Sequence, residues 1–109
     1  MKDPKPCEIA EGVYWLRFGL VSGNVYLVKS GASWVLIDTA FRRSGQRIQR
    51  TAEALFGAGT RPAAILLTHV HPDHSGSALD LARLWRCPVY VHPDEMPLAV
   101  VRDVATVKQ

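Results

Sequence analysis

Three of the chain's four histidines fall within six positions, beside a carboxylate: His69, His71, Asp73 and His74. They lie in the run Thr68-His69-Val70-His71-Pro72-Asp73-His74-Ser75-Gly76. Neutral imidazole and carboxylate are donors that zinc accepts, at about 2.0–2.2 Å. An apolar run, residues 63–68, leads into the cluster, and a helical pattern follows it from Ser77. His69 and His71 are two apart, so in extended backbone both rings project to one side. Pro72 stops the strand, and Gly76 leaves room for close approach of backbone. Ligand sites in α/β sheets sit at such carboxyl ends of strands. A surface loop that is rich in histidine by accident is the bland alternative. It leaves unexplained why four ligand types meet at one strand-to-helix switch.

The elements that must position this cluster can be read from apolar periodicity. Residues 1–7 form a polar, proline-punctuated lead-in. Strand patterns follow at residues 13–18, 24–29 and 34–37, the last ending at Asp38. Ser30-Gly31-Ala32-Ser33 reads as a tight turn, which makes the second and third strands a hairpin. Ser44 can cap a helix whose Ile48, Ala52 and Leu55 recur at i, i+4 and i+7, and Gly57 and Gly59 stop it. The run 63–68 is continuously apolar, as in a strand covered on both faces. A second helix is predicted over residues 77–86, with Ala78, Leu81, Ala82 and Trp85 on one face. Residues 88–91 form a fifth strand, parallel to the fourth because a helix crosses between them. Residues 92–94 turn, and a last helix is expected over residues 95–107. Three early strands followed by strand–helix alternation predict an α/β fold, a mixed β-sheet with helices packed on one face.

Composition narrows the partners. Hydrophobic residues make up 48% of the 109 and charged residues 21%, as in an ordinary globular domain. No apolar run approaches the roughly 18–20 residues of a membrane helix, and no apolar stretch follows the charged start, so a cytoplasmic location is expected. Cys7 and Cys87 match no metal or redox spacing and read as two reduced thiols. A net charge of +3 is too small to argue for nucleic acid. Arg42, Arg43, Arg47 and Arg50 recur at near-helical spacing and read as a solvated helix face, with an anion or nucleic-acid patch as the alternative.

His69-x-His71-x-Asp73-His74 resembles the H-x-H-x-D-H motif of the metallo-β-lactamase superfamily. Leu36-Ile37-Asp38-Thr39 resembles that family's strand-end motif, which usually continues with Gly where this chain has Ala40. The resemblance implies that the chain from residue 8 to 109 is the N-terminal half of such a domain, one half of an αββα sandwich. It implies a zinc-dependent hydrolase of esters, thioesters, lactams or phosphodiesters, with one or two metal ions, iron or manganese being alternatives. His69 and His71 would serve one metal and Asp73 and His74 the second. Asp73 would also orient or deprotonate the attacking water, the catalytic role. Asp38 would hydrogen-bond near the ligands and fix their orientation; it can equally be a strand-end turn residue. Histidine at position 71 resembles the hydrolase branch more than the di-iron oxygen-reducing branch. The persulfide-oxidising relatives, which bind one iron, keep this histidine too.

The family completes its sites with a later histidine, a bridging aspartate and a final histidine, and no histidine follows His92 here. His92 itself reads as a structural or turn residue. Catalytic zinc normally has three protein ligands plus water, so the chain alone is expected to be a weak catalyst. Half a sandwich also leaves a sheet face open. The expectation is a truncated chain or a homodimer that buries that face, on the side of Val25, Leu27, Leu36, Ile65 and Leu67 or their alternates. A non-catalytic, self-associating module that binds metal weakly is the second reading. A small-molecule substrate is implied if the site is completed.

Overall fold

The computed structural model describes residues 3–18, 23–41, 43–69, 75–91, 93–95 and 107–108. The strands are β1 (Cys7–Ala10), β2 (Val13–Arg17), β3 (Asn24–Ser30), β4 (Ser33–Ile37), β5 (Ala64–Leu67), β6 (Val89–Val91) and β7 (Val107–Lys108). Helix α1 (Gly45–Phe56) joins β4 to β5, and α2 (Ala78–Trp85) precedes β6. Among the described residues the seven strands form one sheet in sequence order. Pairing is antiparallel from β1 to β4 and parallel from β4 to β7. The mixed α/β sheet expected from sequence is therefore present, with β5 and β6 parallel as their helical connection requires.

Short turns set the antiparallel part. Gly12 has φ +76°, and a Cβ there would stand 2.7 Å from the Lys29 carbonyl oxygen. Only glycine lets this turn lie against β3, where Lys29 donates its N–H to the Gly12 carbonyl at 2.7 Å. Helix α1 stops at Gly57, whose φ of 107° no longer follows the helix.

Both helices cover one face. Ile48, Thr51 and Ala52 of α1 and Ala78, Leu81, Ala82 and Trp85 of α2 are buried. They meet Leu16, Val25, Leu27, Trp34, Leu36, Ile65, Leu67, Val89 and Val91 of the sheet in one core cluster. Each fully buried large aliphatic there contributes about 1.5–3 kcal/mol. Trp34 anchors the helix–sheet junction: its ring centroid is 5.1 Å from Phe56 and 5.6 Å from Trp85. Its indole N–H donates to Thr60 Oγ1 at 2.8 Å.

The opposite face carries the alternate side chains. Strand register aligns Trp15, Tyr26, Ile37, Leu66 and Tyr90 as one row across five strands. A second row runs through Val13, Val28 and Val35. These residues are half-buried, except Leu66, which is exposed. One expectation is decided between its alternatives here, and one is corrected. Val25, Leu27, Leu36, Ile65 and Leu67 face the helices, so their alternates line the other face. Strand β5 is covered on one face of this chain, not on both; Leu66 is 36% accessible.

Other boundaries differ as well. The lead-in ends in a strand, β1, that pairs with β2 and extends the sheet. Of the last predicted helix, residues 96–106 lie outside the described residues. Its two ends are not α-helical: Pro93–Glu95 is a 3-10 turn, and Val107 pairs with Val89 in β7. Backbone pairing to a sheet edge overrides the local helical pattern there. No helix of the described residues is long and apolar enough to cross a membrane.

Candidate metal-binding edge

The parallel pairing brings two strand ends together. Ile37 of β4 lies opposite Leu66 of β5, so Asp38 and Thr68 leave the sheet side by side. The Asp38 N–H donates to the Leu66 carbonyl at 2.8 Å, which extends the ladder one step beyond the strand. Asp38 is 3% accessible, and its carboxylate accepts twice from Thr68. The Thr68 N–H reaches Oδ1 at 2.8 Å and the Thr68 hydroxyl reaches Oδ2 at 2.7 Å. Thr68 Oγ1 also lies 3.3 Å from Nδ1 of His69, whose side chain is exposed. A hydrogen-bonded chain thus runs from a buried carboxylate to an accessible imidazole. Asp38 has a positive φ of 65°, as a strand-end turn residue can, and binds the residue next to His69.

The segment after β4 also holds Gly76 and Ser77, which follow the histidine cluster in the sequence. Gly76 donates its N–H to the Ala40 carbonyl at 2.9 Å. Ser77 donates its N–H to Thr39 Oγ1 at 3.1 Å. The buried Ser77 hydroxyl donates to the Phe41 carbonyl at 2.8 Å and accepts from the Ser44 N–H at 3.0 Å. Residues 38–44 therefore tie down both Thr68 and Gly76–Ser77, on either side of residues 70–74. Ser44 precedes α1 as expected, but its side chain makes no cap; its N–H is satisfied by Ser77. This segment is strained. Asp38, Ala40 and Arg43 all have positive φ, 65°, 59° and 68°, without being glycine. Such residues cost about 1–3 kcal/mol each and persist where surroundings over-determine them. Here the surrounding bonds all serve the edge that carries His69.

His69 is thus placed at the carboxyl end of β5, next to the end of β4. His71, Asp73 and His74 lie outside the described residues, as does His92. Among the described residues no three His, Cys, Asp or Glu side chains cluster as a metal site. His69 gives this edge an accessible imidazole whose Nδ1 faces a braced hydroxyl, one donor of the kind that metal sites use. Thr68, Thr39 and Ser77 were not given roles from sequence. The signal for Thr68 is its position directly before the cluster, and for Thr39 its place in the strand-end motif; for Ser77 no local signal exists.

Two arginines of the row have local partners. Arg50 forks onto Asp3 at 2.7 and 2.8 Å, and this hydrogen bonding holds the Asp3 carboxyl below the usual carboxylate range. The Arg47 guanidinium stands 5.1 Å from the Phe18 ring centroid. Arg43 is exposed, and Arg42 lies outside the described residues. Both cysteines that are described are free, Cys7 exposed and Cys87 buried, and burial pushes the Cys87 thiol up.

A sequence model of the metallo-beta-lactamase superfamily matches residues 18–108. A probable metallo-hydrolase of Bacillus subtilis, YflN, is 39% identical over 99 residues, covering 88% of this chain and 37% of the relative. Among solved structures, a metallo-beta-lactamase of Cronobacter sakazakii superposes with a TM-score of 0.74 at 24% identity, over 90% of this chain and 38% of that one. A subclass B3 metallo-beta-lactamase of Bradyrhizobium japonicum gives a TM-score of 0.73 at 25% identity, over 85% of this chain and 34% of that one. The chain thus spans about a third of the length of the proteins it matches.

Proposed function

The chain belongs to the metallo-beta-lactamase superfamily, and from that premise we propose that it carries the first metal-binding segment of a zinc-dependent hydrolase. The observation that supports this most is the edge where β4 and β5 end: buried Asp38, Thr68 and accessible His69 in one hydrogen-bonded chain. His69 and His71 would hold one metal, and Asp73 and His74 a second. Zinc, when bound, supplies Lewis acidity and makes a water acidic enough to attack at neutral pH. Asp73 would orient that water or take its proton. The braced segment 38–44 would hold the loop in place while substrate is bound, which is the pre-organisation catalysis needs. Substrates would be esters, thioesters, lactams or phosphodiesters of small size.

Zinc titration of metal-free protein by calorimetry tests the reading. Binding should fall sharply when His69 and His71 are both changed to Ala; unchanged affinity in that double variant rejects the site. A companion expectation concerns this 109-residue chain by itself. Four ligands at one loop leave a two-metal site short of protein donors, because catalytic zinc normally takes three each with water. Hydrolysis of lactam, thioester and phosphodiester substrates with added zinc should therefore be weak. Robust turnover that Asp73→Ala abolishes would show that the chain completes its own site.

A further inference from the structure

We propose that the recess between the first turns of α1 and α2 is a binding site for a free α-amino acid with a branched aliphatic side chain. It is separate from the metal-binding edge, and nothing in the inference depends on a metal. The starts of the two helices are tied together. Ser44 donates its N–H to the Ser77 hydroxyl at 3.0 Å. Gly45 lets α1 lie against Leu81, whose Cδ2 would stand 3.4 Å from a Cβ there. Beside this contact the helices leave a recess of about 500 Å³, within the size range of small-molecule sites. Arg43, just before α1, and Asp80, in the first turn of α2, bring a cation and an anion to the end where both helices begin. Among the described residues neither forms an ion pair. Helix α1 adds the amides of Gln46 and Gln49 to one wall. Helix α2 adds buried Leu81 and, 49% accessible, Leu84 to the other. This division by chemistry selects the ligand. A simple anion that meets Arg43 also meets Asp80, and a simple cation that meets Asp80 also meets Arg43. An α-amino acid carries carboxylate and ammonium on one carbon and answers both charges. Its carboxylate takes the guanidinium fork in two parallel bonds, and the glutamine amides offer donors to the remaining lone pairs. The first turn of α1 holds no acidic residue to repel it. The aliphatic side chain then runs along Leu81 and Leu84, where apolar surface on both sides leaves water.

Titration of the full, metal-free chain with L-leucine in low salt, followed by proton–nitrogen NMR, tests it. Shifts should saturate and concentrate in residues 43–49 and 80–84. Three analogues each lack one feature: isocaproate the ammonium, isoamylamine the carboxylate, and glycine the side chain. Each should bind about 10-fold more weakly or worse. Arg43→Gln should remove the preference for leucine over isoamylamine, and Asp80→Asn the preference over isocaproate. Leu84→Ser should remove the preference over glycine. Should a variant fail to fold, the wild-type ranking of the four ligands decides alone. Shifts that do not saturate, or a wild-type ranking without leucine first, overturn the proposal. Isocaproate bound as tightly as leucine would mark a site for anions only, and overturns it too. So do preferences that survive all three substitutions. Zinc plays no part in the readout, so failure here leaves the hydrolase reading standing, and failure of zinc to bind leaves this site standing.

Discussion

Asp38 shows how one buried side chain can join fold and site. Its carboxylate is almost fully out of water and accepts both the N–H and the hydroxyl of Thr68. A buried acceptor that loses its partners costs about 1–3 kcal/mol, more when charged. Asp38→Asn retains the shape but offers only one oxygen, so one of the two Thr68 donors faces an amide N–H₂ instead. We expect this variant to lose about 1–3 kcal/mol in urea unfolding. An unchanged midpoint would mean that the two Thr68 bonds are replaced by water at no cost. The neighbouring Ala40 illustrates a different balance. Its φ of 59° is in the region that glycine prefers, yet its methyl is fully buried in the core cluster. Backbone strain of about 1–2 kcal/mol is offset in part by burying that methyl, worth about 0.8 kcal/mol. That is a physical reason for alanine to stand where the resembling family usually has glycine.

At the scale of elements, the two helices and the two strand ends are joined by a few polar bonds that the sequence hides. The Ser77 hydroxyl bridges the start of α2 to the start of α1 through Phe41 and Ser44. Ser77→Ala leaves the buried Ser44 N–H and the Phe41 carbonyl only their long 3.3 Å bond to each other, and should destabilise by about 0.5–1.5 kcal/mol. Thermal unfolding of that variant checks this; a shift in Tm no larger than that of an exposed Ser→Ala control contradicts it. The strong periodicities of α1 and α2 and the apolar runs of β2 to β6 were legible, because each repeats one chemical contrast many times. The histidine cluster stands out in the sequence by its density alone, and of its members only His69 lies among the described residues. Strand β1 was not legible, since Pro4, Pro6 and Glu8 surround a short edge whose Ile9 is 54% exposed. Nor was β7, two residues long, defined only by pairing with β6. The side of the sheet that the helices take was also illegible. In β3 the successive residues Val25, Tyr26, Leu27 and Val28 are all apolar, so alternation carries no signal about which set turns inward. Ser77 and Thr39 meet across 38 positions, and small polar residues carry no sequence mark of such a partner.

Among the described residues, both helices cover one sheet face and neither covers the other. Trp15, Tyr26, Ile37, Leu66 and Tyr90 form the main row of the open face, with Val13, Val28 and Val35 beside it. Five strands at about 4.8 Å spacing make this row roughly 20 Å wide. None of these residues is charged, and register carries the main row on to Lys108 only at the β7 edge, so the middle of the face can meet a copy of itself about a two-fold axis without like-charge conflict. We therefore expect this 109-residue chain to dimerise through that face, its polar-tipped Tyr26 and Tyr90 giving the contact hydrogen-bonding ends. Light scattering at micromolar concentration should give twice the 12.1 kDa chain mass. Ile37→Lys and Leu66→Lys place cations at the middle of the row, against their own symmetry mates. Each should return the chain to monomer while the helical circular dichroism of α1 and α2 persists, because both helices pack on the other face. A folded wild-type monomer at that concentration refutes the expectation. So does a dimer that both lysine variants leave intact, since the contact would then lie elsewhere on the molecule.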